Sequence, residues 1–400
     1  MKNIINIKND YYYIGCNDRK IALFENVYPL ENGVSYNSYF LNDEKTVLFD
    51  TVDKNCADNF FNNLNSILDG RHLDYMIINH LEPDHSALIY EVIKQHPDVK
   101  IVVNPKSKQM LLQFFEDVKE ENFYVVKEGD VLETGKRKLT FVMAPMVHWP
   151  EVMVTYDMTD KILFSADAFG SFGALSGNIF DSDVDFNSKI DEYRRYYTNI
   201  VGKYGQNVNM LLNKAAKLEI EMVCPLHGLI LKENISKLIE KYSLWATYTP
   251  ERKSVLIVYA SVYGATQHAA EVLASKLAQN GIKNIEMFDC SHKNHSYILA
   301  KAFEYSHIVI ATTTYNNDIF VKMAQFLDEI VKHNLQNRTF ALIENGSWAC
   351  NCENNVKSRL EGLKGTSFIE DKLSIKSVLK KNQEEDVLKL VNSIVESLKA

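Results

Sequence analysis

The run Asn79-His80-Leu81-Glu82-Pro83-Asp84-His85-Ser86 decides how this chain is read. Four groups able to bind a metal fall within six residues, directly after the apolar, strand-like Asp74-Tyr75-Met76-Ile77-Ile78. In an extended chain, side chains at i, i+2 and i+4 point the same way. His80, Glu82 and Asp84 are therefore expected to converge, with His85 entering from another angle. Pro83 cannot donate to a sheet ladder, so the strand is expected to stop here and leave these groups on a loop. A plainer reading exists, in which Asp84 caps a helix beginning near Ser86.

Three further strand ends weigh against the plainer reading. His148 follows Lys138-Leu139-Thr140-Phe141-Val142-Met143-Ala144-Pro145, Asp167 follows Lys161-Ile162-Leu163-Phe164-Ser165-Ala166, and His227 follows Glu221-Met222-Val223-Cys224-Pro225, with Gly228 next. Singly, each is more often a hydrogen-bonded His or a helix-capping Asp. Of the eleven His, however, His80, His85, His148 and His227 stand at apolar strand ends, whereas His268, His292, His295 and His307 lie in polar surroundings.

Around Pro250 the chain changes character. Thr247-Tyr248-Thr249-Pro250-Glu251-Arg252-Lys253 reads as a linker, which divides the chain into residues 1–249 and 250–400. Ser254-Val255-Leu256-Ile257-Val258-Tyr259-Ala260 is the near-continuous apolar run of a strand buried on both faces. Ser261-Val262-Tyr263-Gly264-Ala265-Thr266 follows, and then a helical stretch from Gln267 to Gln279. A hydroxyl-rich turn between strand and helix suits a phosphate, with Ser261 and Thr266 adding donors; alone it could equally be an ordinary capped turn. Further strands are expected at Asn284–Phe288, His307–Ala311, Thr339–Ile343 and near Ser367-Phe368-Ile369. Helices are expected at Phe320–Lys332, Val356–Leu363 and Gln383–Leu398. That alternation predicts an α/β doubly wound parallel sheet with its ligand at the carboxyl ends of the strands. Two strand-end loops there, Thr312-Thr313-Thr314-Tyr315-Asn316-Asn317 and Glu344-Asn345-Gly346-Ser347-Trp348-Ala349, carry what a flat, polar-edged ring system needs.

The ligand layout of the first half resembles the metallo-β-lactamase fold, an αββα sandwich, up to about Trp245. Zinc hydrolases of that fold carry His where this chain has Glu82. Zinc favours four-coordinate sites rich in nitrogen and sulfur; four imidazoles with three carboxylates suit non-haem iron. Two ferrous ions are balanced by Glu82, Asp84, Asp167 and one hydroxide. Together the halves resemble a flavodiiron protein, a family also called A-type flavoproteins, over essentially the whole chain. The resemblance implies one iron on His80, Glu82 and His148, the other on Asp84, His85 and His227, and a bridging Asp167. In some members the residue matching His85 is held away from the metal, which leaves its ligation open. The resemblance also implies a flavodoxin-like second half that binds FMN. Ser261, Val262, Tyr263, Gly264, Ala265 and Thr266 would hold the phosphate. Thr312–Asn317 and Gly346, Ser347, Trp348 and Ala349 would flank the ring system. Many relatives have Pro where this chain has Thr313 and Gly where it has Asp318.

The family further implies a head-to-tail homodimer, or a tetramer built from it, in which the partner subunit brings flavin and irons close. Only Cys350 and Cys352 lie near each other, and there is no pair of Cys-x-x-Cys motifs. No rubredoxin-like domain is therefore expected, and electrons should come from a separate donor such as rubredoxin or a reductase. The expected reaction is reduction of O2 to water, of NO to N2O, or both. One rival is a zinc hydrolase with a fused regulatory flavodoxin; another is an electron carrier on a relic scaffold.

Composition sets outer bounds. Four hundred residues suffice for two domains, and 46% apolar residues argue against disorder. A net charge of −8 argues against nucleic acid as a partner. Six scattered cysteines and an N-terminus without an apolar core predict reduced thiols and a cytoplasmic location. No stretch approaches a transmembrane length, so no membrane is expected.

Overall fold

The computed structural model describes residues 2–399. They form two compact units, one ending at Tyr197 and including Gln206–Ser243, the other comprising Thr198–Gly205 and the chain from Leu244 onward.

The first unit is built on two sheets. One has the order Ile5–Lys8, Tyr11–Tyr13, Tyr39–Asn42, Thr46–Phe49, Tyr75–Ile77, Lys100–Val103, Phe123–Val125. Its first four strands are antiparallel meanders and its last three join in parallel. The other has the order Val131–Glu133, Lys138–Met143, Met153–Asp157, Ile162–Phe164, Met222–Cys224. The sheets meet face to face through aromatic side chains. Phe49 of the first stacks on Phe164 of the second with ring centroids 3.9 Å apart, and Tyr11 and Tyr39 close on Phe164 at 5.6 and 5.5 Å. This is sandwich packing, and helices Ala57–Leu68 and Pro105–Phe114 cover the first sheet by burying Phe60, Leu64 and Leu111. Phe49 and Phe164 end their strands, so the chain leaves the core at Asp50 and just before Asp167, on one sandwich edge.

The second unit is a parallel sheet in the order Glu286–Asp289, Arg252–Tyr259, Tyr305–Tyr315, Thr339–Asn345, Ser367–Ile375. Crossover helices Ala265–Gln279, His295–Glu304, Val321–Lys332 and Cys352–Leu360 connect successive strands, and Glu384–Lys399 closes the chain. Numbered along the chain, the strand order is 2-1-3-4-5, the doubly wound arrangement of flavodoxin-like folds. Val255 to Val258 are wholly buried, as a strand covered on both faces requires. The last helix buries Val387, Leu390, Val391, Ile394, Val395 and Leu398, a stripe at helical spacing.

Several expectations change in detail. Thr312, Thr313, Thr314 and Tyr315 continue the strand, with Thr312 paired to Glu344 and Thr313 to Asn345. The turn is only Asn316-Asn317, both at positive φ (51° and 62°), closing a hairpin in which Tyr315 faces Asp318. Asparagine tolerates that left-handed conformation. His307 is 6% exposed, held by the hydroxyls of Ser306 and Ser397 at 2.9 Å each, so its surroundings are interior. The expectation of reduced thiols fails for one pair: Cys16 and Cys56 are joined in a disulfide, Cα–Cα 6.4 Å. A sequence separation of 40 conceals that proximity. Cys224, Cys290, Cys350 and Cys352 are free. Among the described residues, no helix is long and apolar enough to cross a membrane.

Candidate metal centre and flavin loops

The metal centre is assembled from loops leaving the sandwich edge. Glu82 is the N-cap and Pro83 the first residue of a single helical turn, Pro83–Ser86. Proline is pre-organised for that position. The turn breaks the alternation expected from an extended chain: Asp84 does not join His80 and Glu82 but turns away with His85. The seven side chains therefore divide into two groups, His80, Glu82, His148 and Asp167 in one, Asp84, His85 and His227 in the other.

Asp167 links them. Its Oδ2 lies 3.4 Å from His80 Nε2 and 3.2 Å from His148 Nε2. Its Oδ1 lies 3.3 Å from His85 Nε2 and 3.7 Å from His227 Nε2. Glu82 Oε2 is 3.4 Å from His80 Nε2 and 3.0 Å from His148 Nε2. Asp84 Oδ2 is 3.2 Å from the Nε2 atoms of both His85 and His227, which approach each other to 3.0 Å. An ion bonded at about 2.0–2.1 Å holds neighbouring donors roughly 3.0–3.4 Å apart, and these spacings fit two such ions. The buried His80 Nε2 and both oxygens of Asp84 and Asp167 lack any well-directed hydrogen bond. Buried polar atoms are otherwise almost always paired, so their convergence fits cations as the intended partners.

Electrostatics agree. Burial favours neutral forms here, and the opposite charges outweigh it. Asp84 and Asp167 raise His85 to about 10. Asp167 and Glu82 raise His148 to about 9. Burial and the Asp84 charge push Glu82 up, but His148 and His80 hold it at about 2. Asp167 lies well below the usual carboxylate range because three imidazoles face it, against the pull of burial. Cations entering this cage compete with protons for the same nitrogens.

The outer supports are residues that strand-end patterning does not mark. Glu151 Oε1 accepts from His80 Nδ1 at 2.8 Å and from the Leu81 amide at 3.0 Å. A carboxylate behind a ligating imidazole fixes its tautomer and raises its basicity. The Ser35 carbonyl plays the corresponding part for His227 Nδ1 at 2.8 Å. Asp50, at φ 53°, accepts from the amides of Asn79 and His80 and from the Asn79 side chain. Gly228 has φ 79°, and a Cβ there would lie 2.3 Å from Ser171 Oγ. Trp149 stands edge-on to His80 at 5.4 Å. Glu25 is the least foreseeable: burial, followed by the Glu82 charge, pushes its carboxyl up to about 8. Nothing in the local sequence Leu23-Phe24-Glu25-Asn26-Val27 marks it.

In the second unit, the Ser261–Thr266 turn feeds the fifteen-residue helix Ala265–Gln279, whose N-terminus has no side-chain cap. Gly264, at φ 89°, donates its amide to Ser261 Oγ at 3.0 Å. Uncapped amides at a helix start suit a phosphate. Thr266 is buried, and its hydroxyl accepts from Asn345 Nδ2 at 3.2 Å. Tyr263 and Trp348 are 98% and 96% exposed, and Val262 and Tyr315 are also open. Gly346 cannot carry a side chain, because a Cβ would sit 1.7 Å from the Ala349 carbonyl oxygen. Asn351 joins the two later loops, through Asn317 Oδ1 at 2.7 Å and Thr314 Oγ1 at 3.2 Å. An anion cradle beside bare aromatic faces fits a flavin mononucleotide.

Comparison with known proteins gives the same two parts in the same order. Residues 34–228 match the ODP family beta lactamase model and residues 256–382 a flavodoxin domain model. The anaerobic nitric oxide reductase flavorubredoxin of Escherichia coli is 30% identical over 389 residues, 96% of this chain and 79% of that protein. The solved rubredoxin oxygen:oxidoreductase from Desulfovibrio gigas superposes with a TM-score of 0.93 at 27% identity, covering 99% of each chain. A flavo di-iron protein from Thermotoga maritima gives 0.88 at 27% identity, covering all of both. With both halves matched in tandem, and relatives aligned over 96% or more of it, the chain belongs to the flavodiiron protein family.

Proposed function

We propose that this oxidoreductase reduces O2, NO or both, with electrons passing from a carrier protein through FMN to the di-iron centre. FMN and a non-haem di-iron centre are the family's cofactors; residues 1–249 are assigned to the di-iron centre and residues 250–400 to FMN. The observation that carries the reading is the division of seven buried side chains into two ligand groups that share Asp167. His80, Glu82 and His148 would hold one iron, Asp84, His85 and His227 the other, with Asp167 between. Ser261–Thr266 would hold the FMN phosphate, and Thr312–Asn317 with Gly346–Ala349 the ring system.

When bound, the two cofactors supply electrons to a diatomic gas: four, with four protons, for O2 to two waters, or two, with two protons, for two NO to N2O and water. The chain's own groups do the rest. Glu151 and the Ser35 carbonyl orient the His80 and His227 rings, and Asp50 pins the backbone that carries His80. Trp149 and the buried aromatic layer limit water around the cage, which protects against loss of partly reduced oxygen. A head-to-tail homodimer or dimer-based tetramer, a rubredoxin-like or reductase donor, and a cytoplasmic location complete the proposal.

Metal and flavin analysis of protein grown in iron-rich medium, followed by anaerobic turnover with each gas and reduced rubredoxin, tests it. Two irons and one FMN per chain with gas consumption are expected. Zinc with esterase activity, indifferent to flavin, would overturn the reading in favour of a hydrolase.

A further inference from the structure

Cys16 and Cys56 are joined, and each sits on a segment that supports one imidazole of the Asp84, His85, His227 group. Cys16 opens the strand Cys16–Asp18, which pairs antiparallel with Val34–Tyr36 and places Cys16 opposite Tyr36 and Asn17 opposite Ser35. Those partners hold the His227 loop. The Ser35 carbonyl accepts from His227 Nδ1 at 2.8 Å, and Ser35 Oγ accepts from the Gly228 amide at 2.7 Å. The Tyr36 ring stands edge-on to His227 at 5.8 Å and to His85 at 6.4 Å.

Cys56 lies on the His85 side. It ends the short turn Lys54–Cys56, which Asp53 caps by accepting from the Asn55 amide. Just before that cap, Thr51 donates its amide and its hydroxyl to the His85 carbonyl, at 2.9 and 2.6 Å. One covalent bond therefore ties the strand that orients His227 to the segment that fixes His85. The pair Cys16–Asp18 and Val34–Tyr36 forms a two-stranded sheet outside the two main sheets, and such pairs are marginal without further support. The other ligand group is held from elsewhere. Glu151 sets His80, and the Asp50 amide behind it is anchored to the Ile77 carbonyl at 2.9 Å. Both cysteines are buried, yet Lys54 and Asn55 beside Cys56 are open to solvent, so a small local opening admits a thiolate. In a reducing compartment a disulfide is usually transient or redox-sensing.

We propose that the Cys16–Cys56 pair is a redox clamp on the Asp84, His85, His227 group. Closed, the disulfide keeps the His85 and His227 supports in register for one metal ion. Open, as two thiols, it lets them part, and that ion is held weakly while the ion of His80, Glu82 and His148 stays. The inference rests on the di-iron reading above and deepens it. The opening step is exchange with an external dithiol. Its thiolate attacks one sulfur of the bridge, and the other sulfur leaves as a thiolate and takes a proton. The dithiol's second sulfur then displaces the remaining cysteine from the mixed disulfide. Two electrons and two protons pass to the chain, and the dithiol departs as its own disulfide. An oxidised dithiol closes the clamp by the reverse steps.

The test uses the full-length chain, metal-stripped and kept anaerobic. Its three forms are oxidised wild type, wild type reduced with dithiothreitol that is then removed, and Cys16→Ser with Cys56→Ser. Alkylation after denaturation, read by mass, should count the four free thiols when oxidised and all six when reduced. Hydrogen exchange of the metal-free chain should quicken in residues 34–37 and 51–56 on reduction and stay unchanged in residues 148–153. Fe(II) titration should give two tight ions in the oxidised chain. The reduced chain and the double variant should keep one and bind the other about 10–100-fold more weakly, as loss of an outer support does. Oxidised dithiothreitol should restore the wild type and leave the variant as it was. Equal affinities for both ions in oxidised and reduced wild type would overturn the proposal, whether or not the variant folds. So would thiols at positions 16 and 56 that resist closure, or an equal weakening of both ions on reduction. Faster exchange on reduction in a chain that takes up fewer than two ions when oxidised would refute the di-iron reading while still supporting a mechanical clamp.

Discussion

Glu151 shows how much a single side chain outside the ligand set can govern. Its carboxylate serves the His80 ring and the Leu81 amide at once, while its own carbonyl is held by Asn104 and Ser107. Glu151→Gln keeps the shape but loses the charge behind the imidazole. Metal affinity should fall about 10–100-fold, measured by competition with a chromophoric chelator; an unchanged affinity would deny Glu151 its role. Asp167→Ala should be harsher, because its two oxygens face different groups. Metal analysis should find one ion or none per chain, with FMN still bound. At Gly228 the constraint is steric. Gly228→Ala combines a left-handed φ with a 2.3 Å approach to Ser171 Oγ, and should cost about 1–3 kcal/mol in chemical denaturation. The strand-end His and acidic residues were legible because ligands must leave an apolar element together. Glu151, Asp50 and Ser35 were not, since one carboxylate or carbonyl in a loop carries no pattern.

Elements were legible where burial imposes a period. The run Ser254–Ala260 and the stripe along Glu384–Lys399 report their neighbours through their own apolar spacing. The extended reading of the His80–His85 run failed where Pro83 starts a helical turn, because i, i+2 alternation holds only while the chain stays extended. Arg338 is a further element-scale feature beyond pattern reading. It is 1% exposed and donates to the carbonyls of Ala302 and Phe303 at the end of helix His295–Glu304, and to those of Tyr248 and Gln336. The last carbonyls of a helix have no intrahelical donor, so one guanidinium closes that end and fixes the Tyr248 segment. Arg338→Met should therefore cost about 2–4 kcal/mol by leaving several buried carbonyls unpaired, read as a lower urea midpoint for FMN release. A midpoint equal to wild type would show that water replaces the guanidinium freely.

The whole molecule joins two units whose stability depends on different conditions. His307 belongs to the second. Burial first, and the Lys253 charge second, depress it to about 4 from an ordinary value near 6.5. A folded-state pKa below the unfolded one means that protonation favours the unfolded chain. The contribution is therefore complete above about pH 6.5 and is lost as pH falls toward 4, by up to roughly 1 kcal/mol per pH unit after allowing for water access. Urea unfolding of the flavin-bearing unit at pH 7 and pH 5 should show the loss, and His307→Gln should flatten it. An equally steep decline in His307→Gln would assign the acid sensitivity elsewhere.

What the sequence alone determined follows from local rules. Apolar runs, their spacing and the polar groups that end them identified the doubly wound half and the seven strand-end side chains, and the resemblance those side chains carry implied the sandwich half. The family resemblance implied how those seven divide between two groups and that Asp167 faces both; only the tertiary structure decided that Asp84 turns away from His80 and Glu82 with His85, that Glu151 stands behind His80, and that Cys16 meets Cys56. Chain direction at a turn and proximity across dozens of residues arise from packing, and packing leaves no periodic trace in the string of residues.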